Sequence, residues 1–357
     1  MKKFMSIVLA SAMTLSLAAC GSSASTETAE SAPAEDTAAA ETQAETAEEP
    51  AEEATDDAAA EVADGQTYNV GVIQLVQHVA LDAATEGFSD ALTEKLGDAV
   101  TITVENASGD LPTCSTIANQ FTSEGVDLIM ANATPALQAA QAATADIPIV
   151  ATSITDYATA LGIEGWTGTT GINVTGTADL APLDGQAQML NELFPDAKEV
   201  GIIYCSAEAN SLFQATAITE YLEGYGYNVT EYTFSDSNDV ASVTQAACDG
   251  SDVIYVPTDN TAASCAETIN NVAVSAGVPI VAGEEGICKG CGVATLSISY
   301  YDIGYAAGLM AYDILVNGAD PATTEVQYAS DFTKEYNATI AEQLGIEIPA
   351  DYVAIED

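Results

Sequence analysis

Polar side chains able to grip a small molecule recur in this chain just past runs of Val and Ile. Gln74, Gln77, His78 and Asp82 follow the first such run, Asn132, Ala133, Thr134 and Pro135 a later one, and Ser153, Thr155 and Asp156 the next. The second half gives Ser206, Glu208, Asn210 and Ser211, then Thr258, Asp259, Asn260 and Thr261, and finally Glu284 and Glu285. Asp179 ends the stretch that joins the two halves, and Tyr300 and Tyr301 could supply an aromatic wall. These groups suit the binding of a polar solute better than bond-breaking. There is no Gly-x-Ser-x-Gly, no phosphate-binding loop and no second histidine to pair with a nucleophile. Carboxylates are so abundant that an apparent glycosidase pair would signify nothing. No catalytic residue and no cofactor is expected.

The ligand chemistry follows from what these stretches lack. The chain contains no Arg, and none of its lysines falls in them. A ligand carboxylate would therefore rest on Asn, Ser, Thr and the free N–H groups of helix starts. Thr134-Pro135 reads as such a start, with Thr134 as N-cap and Pro135 as the first helical residue, and Thr258–Thr261 offers another. An ammonium group would find partners in Asp259, Glu284, Glu285 or Glu208. A zwitterion or neutral polar solute fits better than a phosphate. Plainer roles stay open: capping for Asp259, Thr134 and Asn260, a backbone hydrogen bond for His78, packing for Tyr300.

The elements that must position these residues alternate. Strands are expected over Asn69–Leu75, Val100–Glu105, Asp127–Ala131 and Ile147–Ala151, then Glu199–Tyr204, Asn228–Tyr232, Asp252–Val256, Val278–Ala282 and Ala294–Ile298. Helical periodicity fills the gaps near 80–96, 112–124, 135–144, 183–194, 209–224, 238–248, 260–276 and 301–316. Alternation of this kind gives parallel sheets covered on both faces, an α/β class. The halves echo each other: Val70-Gly71-Val72-Ile73 with Val200-Gly201-Ile202-Ile203, Val126-Asp127-Leu128-Ile129 with Ser251-Asp252-Val253-Ile254, and Ile147-Pro148-Ile149-Val150 with Val278-Pro279-Ile280-Val281. Two similar doubly wound domains are expected, linked near Gly171–Asp179. In open sheets ligands bind beyond the carboxyl ends of the strands, where the polar residues lie.

Composition narrows the partners. Six Lys and no Arg stand against 54 acidic residues, a net charge of −48, which excludes nucleic acid and direct adsorption to anionic lipid. Cys288-Lys289-Gly290-Cys291 is the single C-x-x-C, and with one histidine it falls short of a zinc site, so no metal is expected. The motif stands several residues past its strand, among glycines, and reads as a tight-loop disulfide or two buried thiols.

Residues 1–19 form a charged start and a short apolar core, too short to span a bilayer as a mature helix. Ending at Leu17-Ala18-Ala19-Cys20, the leader resembles a bacterial lipobox, which implies cleavage before Cys20 and lipid on its thiol. Residues 20–66 are Ala, Thr, Ser, Glu and Asp, and cannot bury enough apolar surface to fold; an acidic, disordered tether is expected. The remainder suits two lobes, 67–175 with about 301–328, and 176–300 with about 329–357.

From Tyr68 to about Ile346 the chain resembles the solute-binding lipoproteins of ABC importers, in the subfamily associated with tryptophan and tyrosine. The resemblance rests on Gly71-Val72-Ile73-Gln74 with His78 and Leu81-Asp82-Ala83-Ala84, Ala133-Thr134-Pro135-Ala136, Asn173-Val174-Thr175-Gly176, Glu208-Ala209-Asn210-Ser211, Tyr255-Val256-Pro257-Thr258-Asp259-Asn260-Thr261 and Tyr300-Tyr301-Asp302-Ile303-Gly304-Tyr305. It departs at Tyr157, where a proline is usual, and in the loop Gly162–Gly171. The resemblance implies a type I periplasmic-binding fold, two lobes joined by a three-strand hinge with an amino-acid-like solute between them. It also implies permease and ATPase partners, a lipid anchor on the extracytoplasmic face of the membrane, and a monomer. The alternatives are a sensory lipoprotein of the same fold, signalling to a kinase or chemoreceptor, or a site for another amino acid or a nucleoside.

Overall fold

Alternating apolar runs become two sheets, the first parallel and the second parallel but for one antiparallel pair near its edge, with the central strands of each buried on both faces. The computed structural model describes residues 65–356; the leader, Cys20 and nearly all of the acidic stretch lie outside the described residues. The first lobe begins with β1 (Tyr68–Gln74), α1 (Val79–Leu96), β2 (Val100–Asn106), α2 (Leu111–Glu124), β3 (Leu128–Asn132), α3 (Thr134–Ala143), β4 (Ile149–Ile154), α4 (Tyr157–Leu161) and β5 (Val174–Ala178). The second follows with α5 (Leu183–Leu193), β6 (Glu199–Cys205), α6 (Ala209–Gly224), β7 (Asn228–Phe234), α7 (Val240–Gly250), β8 (Val253–Val256), α8 (Asn260–Ser264), α9 (Ala266–Ala276), β9 (Ile280–Ala282), α10 (Glu285–Cys291) and β10 (Ala294–Ser297). The chain ends with α11 (Tyr300–Tyr312), β11 (Gln327–Tyr328), β12 (Thr333–Tyr336), α12 (Ala338–Leu344) and β13 (Val353–Ala354).

The sheet orders are β11-β5-β4-β3-β1-β2 and β13-β12-β10-β9-β8-β6-β7. Both contain the doubly wound order 2-1-3-4-5, so the repeated sequence patterns occupy equivalent strands: β1 and β6, β3 and β8, β4 and β9. The repeat explains an aspartate that would otherwise look incidental. Asp127 accepts from Asn69 N (2.7 Å), and Asp252 accepts from Lys198 N (2.7 Å) and Glu199 N (3.0 Å). In each lobe the carboxylate satisfies the entry of the neighbouring strand. The strands alternate as the pleat requires: Val70, Val72, Leu128 and Met130 pack on one side, Ile73, Ile129 and Ala131 on the other. In the second lobe Ile202, Val253 and Tyr255 face one core, and Ile203, Ile254 and Val256 the other. Gly71 is required by packing, since a Cβ there would stand 2.6 Å from the Phe121 ring.

The chain passes between the sheets three times: after β5, between β10 and α11, and between β11 and β12. That is the multi-strand hinge the resemblance implied. Several local expectations shift. The stretch anticipated as linker, Gly171–Asp179, contains β5, which belongs wholly to the first sheet; its Val-Thr-Gly-Thr-Ala sequence is too short and small to declare a strand. The helix expected over 260–276 breaks into α8 and α9 at Cys265, whose backbone (φ −110°, ψ 12°) leaves helical geometry. Thr134 is not the N-cap of α3. Ala133 takes that position with φ 89°, because β3 turns into the helix within one residue, and no side chain caps it.

Candidate functional site

The polar residues anticipated at the strand ends converge on one cavity between the sheets. His78, Ser153, Thr155 and Asp179 line it from the first lobe, and Asn210, Thr258, Asp259, Asn260 and Glu284 from the second, with Tyr300 closing one side. Leu81 and Ala263 add apolar wall. The enclosed volume is about 10 Å³, room for roughly one water. A larger groove of about 300 Å³ adjoins it, sharing Asn260 and lined by Leu75 and Asp110 from the first lobe and Glu208 and Asp236 from the second.

Three of the four carboxylates expected to meet an ammonium group are accounted for in other ways. Asp259 caps α8: Oδ1 accepts from Ala262 N (2.7 Å), and Oδ2 from Cys205 N (2.6 Å) and Ser211 Oγ (2.7 Å). Glu208 Oε1 accepts from Thr261 N (2.9 Å) and Oγ1 (2.8 Å), and Oε2 from Asn260 N (3.1 Å) and Nδ2 (2.6 Å). Glu284 caps α10 through Gly286 N and Ile287 N. Glu285 lies outside the cavity, in a separate recess with Val79 and Glu335. Burial pushes Asp259 and Glu284 up to about 7, against the hydrogen bonds that hold them; the neighbouring Glu208 carboxylate pushes Asp259 further the same way. We expect Asp259→Ala to destabilise the fold by about 3 kcal/mol, because it strands two buried backbone N–H groups and a hydroxyl. Denaturant unfolding checks this.

Asp179 is different. Its Oδ2 accepts from Tyr300 Oη (3.0 Å), while Oδ1 is buried without a partner. Burial raises this carboxyl to about 6, the Tyr300 hydroxyl opposing the shift. Ser153 Oγ, His78 Nδ1 and Asn210 Oδ1 line the same cavity and are likewise buried and unpartnered. Buried polar atoms are paired in the great majority of folds, and here four open ones gather around one cavity.

The backbone is shaped to present two of these groups. The β4–β5 register slips between Ala151 and Ile154, and Ser153 within that bulge has φ 57°. Tyr157, fully buried, donates to Ala151 O (3.0 Å) and Thr177 O (3.2 Å) across the bulge. Gly176 leaves room for it, since a Cβ there would stand 1.8 Å from Ala151 O and 2.6 Å from the Tyr157 hydroxyl. Trp166 stacks on Tyr157 and donates to Tyr328 Oη (3.1 Å), which makes the Gly162–Gly171 loop part of this support.

Two side-chain contacts bridge the lobes. His78 Nε2 lies 3.2 Å from Asn260 Oδ1, and Gln214 Nε2 donates to Thr155 Oγ1 (3.4 Å). Gln214 was not anticipated; it also holds Thr258 N, Thr258 O and Asn210 O. Its signal was available: with Asn210 and Ser211 it forms a polar stripe on the buried face of α6. Gln74 and Asn132 serve the scaffold. Gln74 binds Asp82 and Thr85, and Asn132 donates to Leu81 O and Thr85 Oγ1. Ala133 and Thr134 are buried and do not line this cavity.

Residues 69–355 match the family of ABC transporter substrate binding proteins. The chain belongs to that family. It is 38% identical over 262 residues to the tyrosine-binding protein of Clostridioides difficile, covering 72% of this chain and 76% of that protein. An ABC domain from Streptococcus pneumonia solved in complex with L-Trp is 34% identical, with a TM-score of 0.76 over 80% of this chain and 97% of that one. The ligand-free, open structure of a substrate binding protein with adhesive properties from Clostridium difficile is 36% identical but superposes at only 0.62, over 81% and 99% of the two chains. The six cysteines among the described residues are free, Cys288 and Cys291 both buried on α10, so the C-x-x-C is a pair of thiols. Among the described residues no cluster of three or more His, Cys, Asp or Glu is arranged to hold a metal, and no helix is long and apolar enough to cross a membrane.

Proposed function

We propose that this substrate binding protein captures an aromatic amino acid, tyrosine or tryptophan, between its lobes and presents it to a permease and ATPase. The observation that carries the reading is the unpartnered Asp179 Oδ1 in a cavity with no Lys or Arg among its lining residues. A buried carboxylate in that setting calls for a cation of ligand size, and an α-ammonium supplies one. The solute carboxylate would rest on the open Ser153 hydroxyl. Leu81, Ala263 and the Tyr300 ring offer apolar contact for an aromatic side chain, and the two relatives named for tyrosine and L-Trp support the class. A cavity of about 10 Å³ cannot admit such a solute as it stands. Opening about the three crossings separates His78 from Asn260 and Gln214 from Thr155, and the adjoining groove gives the route in. Contacts from both lobes to the solute then favour reclosure.

A thermal-shift screen of the amino acids tests this: tyrosine or tryptophan should raise the melting temperature by several degrees, as excess ligand stabilises the form it binds. A response only to sugars or nucleosides would contradict it. In the same reading the protein works on the extracytoplasmic face, held by lipid on Cys20. Cys20→Ser should move it from the membrane fraction to the medium on cell fractionation, and retention in the membrane would remove the anchor.

A further inference from the structure

We infer that His78 is a hydrogen-bond acceptor for the solute, its tautomer fixed from the opposite lobe by Glu208 acting through Asn260. The inference rests on the solute-binding reading above and concerns what that site demands of its ligand.

The chain of partners begins at a carboxylate. Glu208 accepts on both oxygens, from the backbone N–H groups of Asn260 and Thr261 as well as from side chains, so it acts only as an acceptor. Asn260 must therefore turn its amide nitrogen toward Glu208, at 2.6 Å. Its remaining atom, Oδ1, faces His78 Nε2 at 3.2 Å and can only accept. Nε2 must then carry the hydrogen. Burial disfavours the imidazolium, outweighing Asn260 and the nearby charges of Glu208 and Asp82, which favour it. A neutral ring with hydrogen on Nε2 has a bare lone pair on Nδ1. The rim of His78 is partly exposed, yet Nδ1 is covered and has no partner, in a residue that lines the cavity.

The neighbouring open atoms ask for the same thing. Asn210 directs its amide nitrogen to Glu208 Oε2 (3.2 Å) and Thr258 O (3.1 Å), which leaves its oxygen bare. Asp179 Oδ1 is also an acceptor. Nδ1 of His78, Oδ1 of Asn210 and Oδ1 of Asp179 thus demand donors, so the site selects a solute with several N–H or O–H groups. At His78 the donor can be an ammonium N–H or the ring's own phenol O–H or indole N–H. A solute that places a methyl group there leaves a buried lone pair unpaired and binds on the order of ten- to a hundredfold more weakly.

Because His78 is the chain's single histidine, nitrogen NMR of untagged protein labelled with ¹⁵N-histidine reads it without assignment. At pH 7.5 the free protein should show a protonated Nε2 and a bare Nδ1. Saturation with L-tyrosine or L-tryptophan should move the Nδ1 resonance toward its hydrogen-bonded position while Nε2 keeps its proton. Hydrogen on Nδ1, an imidazolium, or an Nδ1 resonance unmoved at saturation overturns the inference. Asn260→Ala should let both tautomers appear and weaken binding about tenfold; an unchanged Nε2–H tautomer in that variant would show that Asn260 merely packs. Calorimetric comparison of L-tyrosine with L-phenylalanine and with N-methyl-L-tyrosine then separates a ring donor from an ammonium donor. If neither tyrosine nor tryptophan binds, the proposed ligand class fails, whereas the tautomer in the free protein is still decided by its own spectrum.

Discussion

Asp179→Asn should weaken solute binding by a hundredfold or more while leaving the protein folded, and at pH 8 more stable than the wild type. Two opposite effects meet at this residue. With a solute bound, the carboxylate is the negative partner of a desolvated ion pair, and removing one member of such a pair costs 2–5 kcal/mol or more. Without a solute, its ionised form is a buried charge held at Oδ2 by Tyr300, with the Thr155 hydroxyl also favouring it, and that support falls short of the desolvation cost. The folded-state value of about 6 lies above the ordinary 3.8, so ionisation at pH 8 opposes folding by about 3 kcal/mol. The amide cannot ionise and keeps the shape. Calorimetric titration should show the lost affinity, and thermal melts at pH 8 a higher midpoint. A variant that binds normally would remove Asp179 from the ligand site.

Stability and affinity should also respond to pH in opposite directions. Asp179 at about 6, and Asp259, Glu284 and Glu335 at about 7, are all raised above their unfolded values, chiefly by burial. The folded state therefore holds protons that the unfolded chain releases. The stability this confers is fully present below about pH 4, and is lost as pH rises through 6 to 7. Acidifying the free protein from pH 8 to pH 5 should raise its melting temperature by several degrees, and relief of the excess negative charge acts in the same sense. Affinity should fall over the same interval, since an ammonium needs Asp179 ionised. Titrations near pH 6 in buffers of different ionisation heat should reveal a fraction of a proton released per solute bound. Parallel trends in stability and affinity would contradict this picture of the site.

The fold was legible because the central strands of both sheets are buried on two faces, so Val- and Ile-rich runs announce them. The repeated motifs fell on equivalent strands for the same reason. Short edge strands such as β11 and β13 carry no such pattern, and β5 is masked by its small residues. In the site, the location was legible and the roles were not. The loops after the strands do line the cavity, yet acidic residues there divide by what else they touch. Asp259 and Glu284 stand before helices whose N–H groups claim them, and Glu208 reaches a helix start 52 residues away. Asp179 precedes no helix N–H that its side chain reaches, and its open oxygen depends on the meeting of β4, β5 and α11, which spacing along the chain cannot reveal. Gln214 is easily passed over because a glutamine within a helix normally signals an outer face, and only its spacing from Asn210 and Ser211 points inward.

The structure of the protein crystallised with L-tyrosine would test the central claim most directly. The account predicts a solute between the lobes with its α-nitrogen about 3 Å from Asp179 Oδ1, and with Asp259 and Glu284 still capping α8 and α10. Tyrosine seated in another cavity, or turned so that its carboxylate faces Asp179, would contradict it.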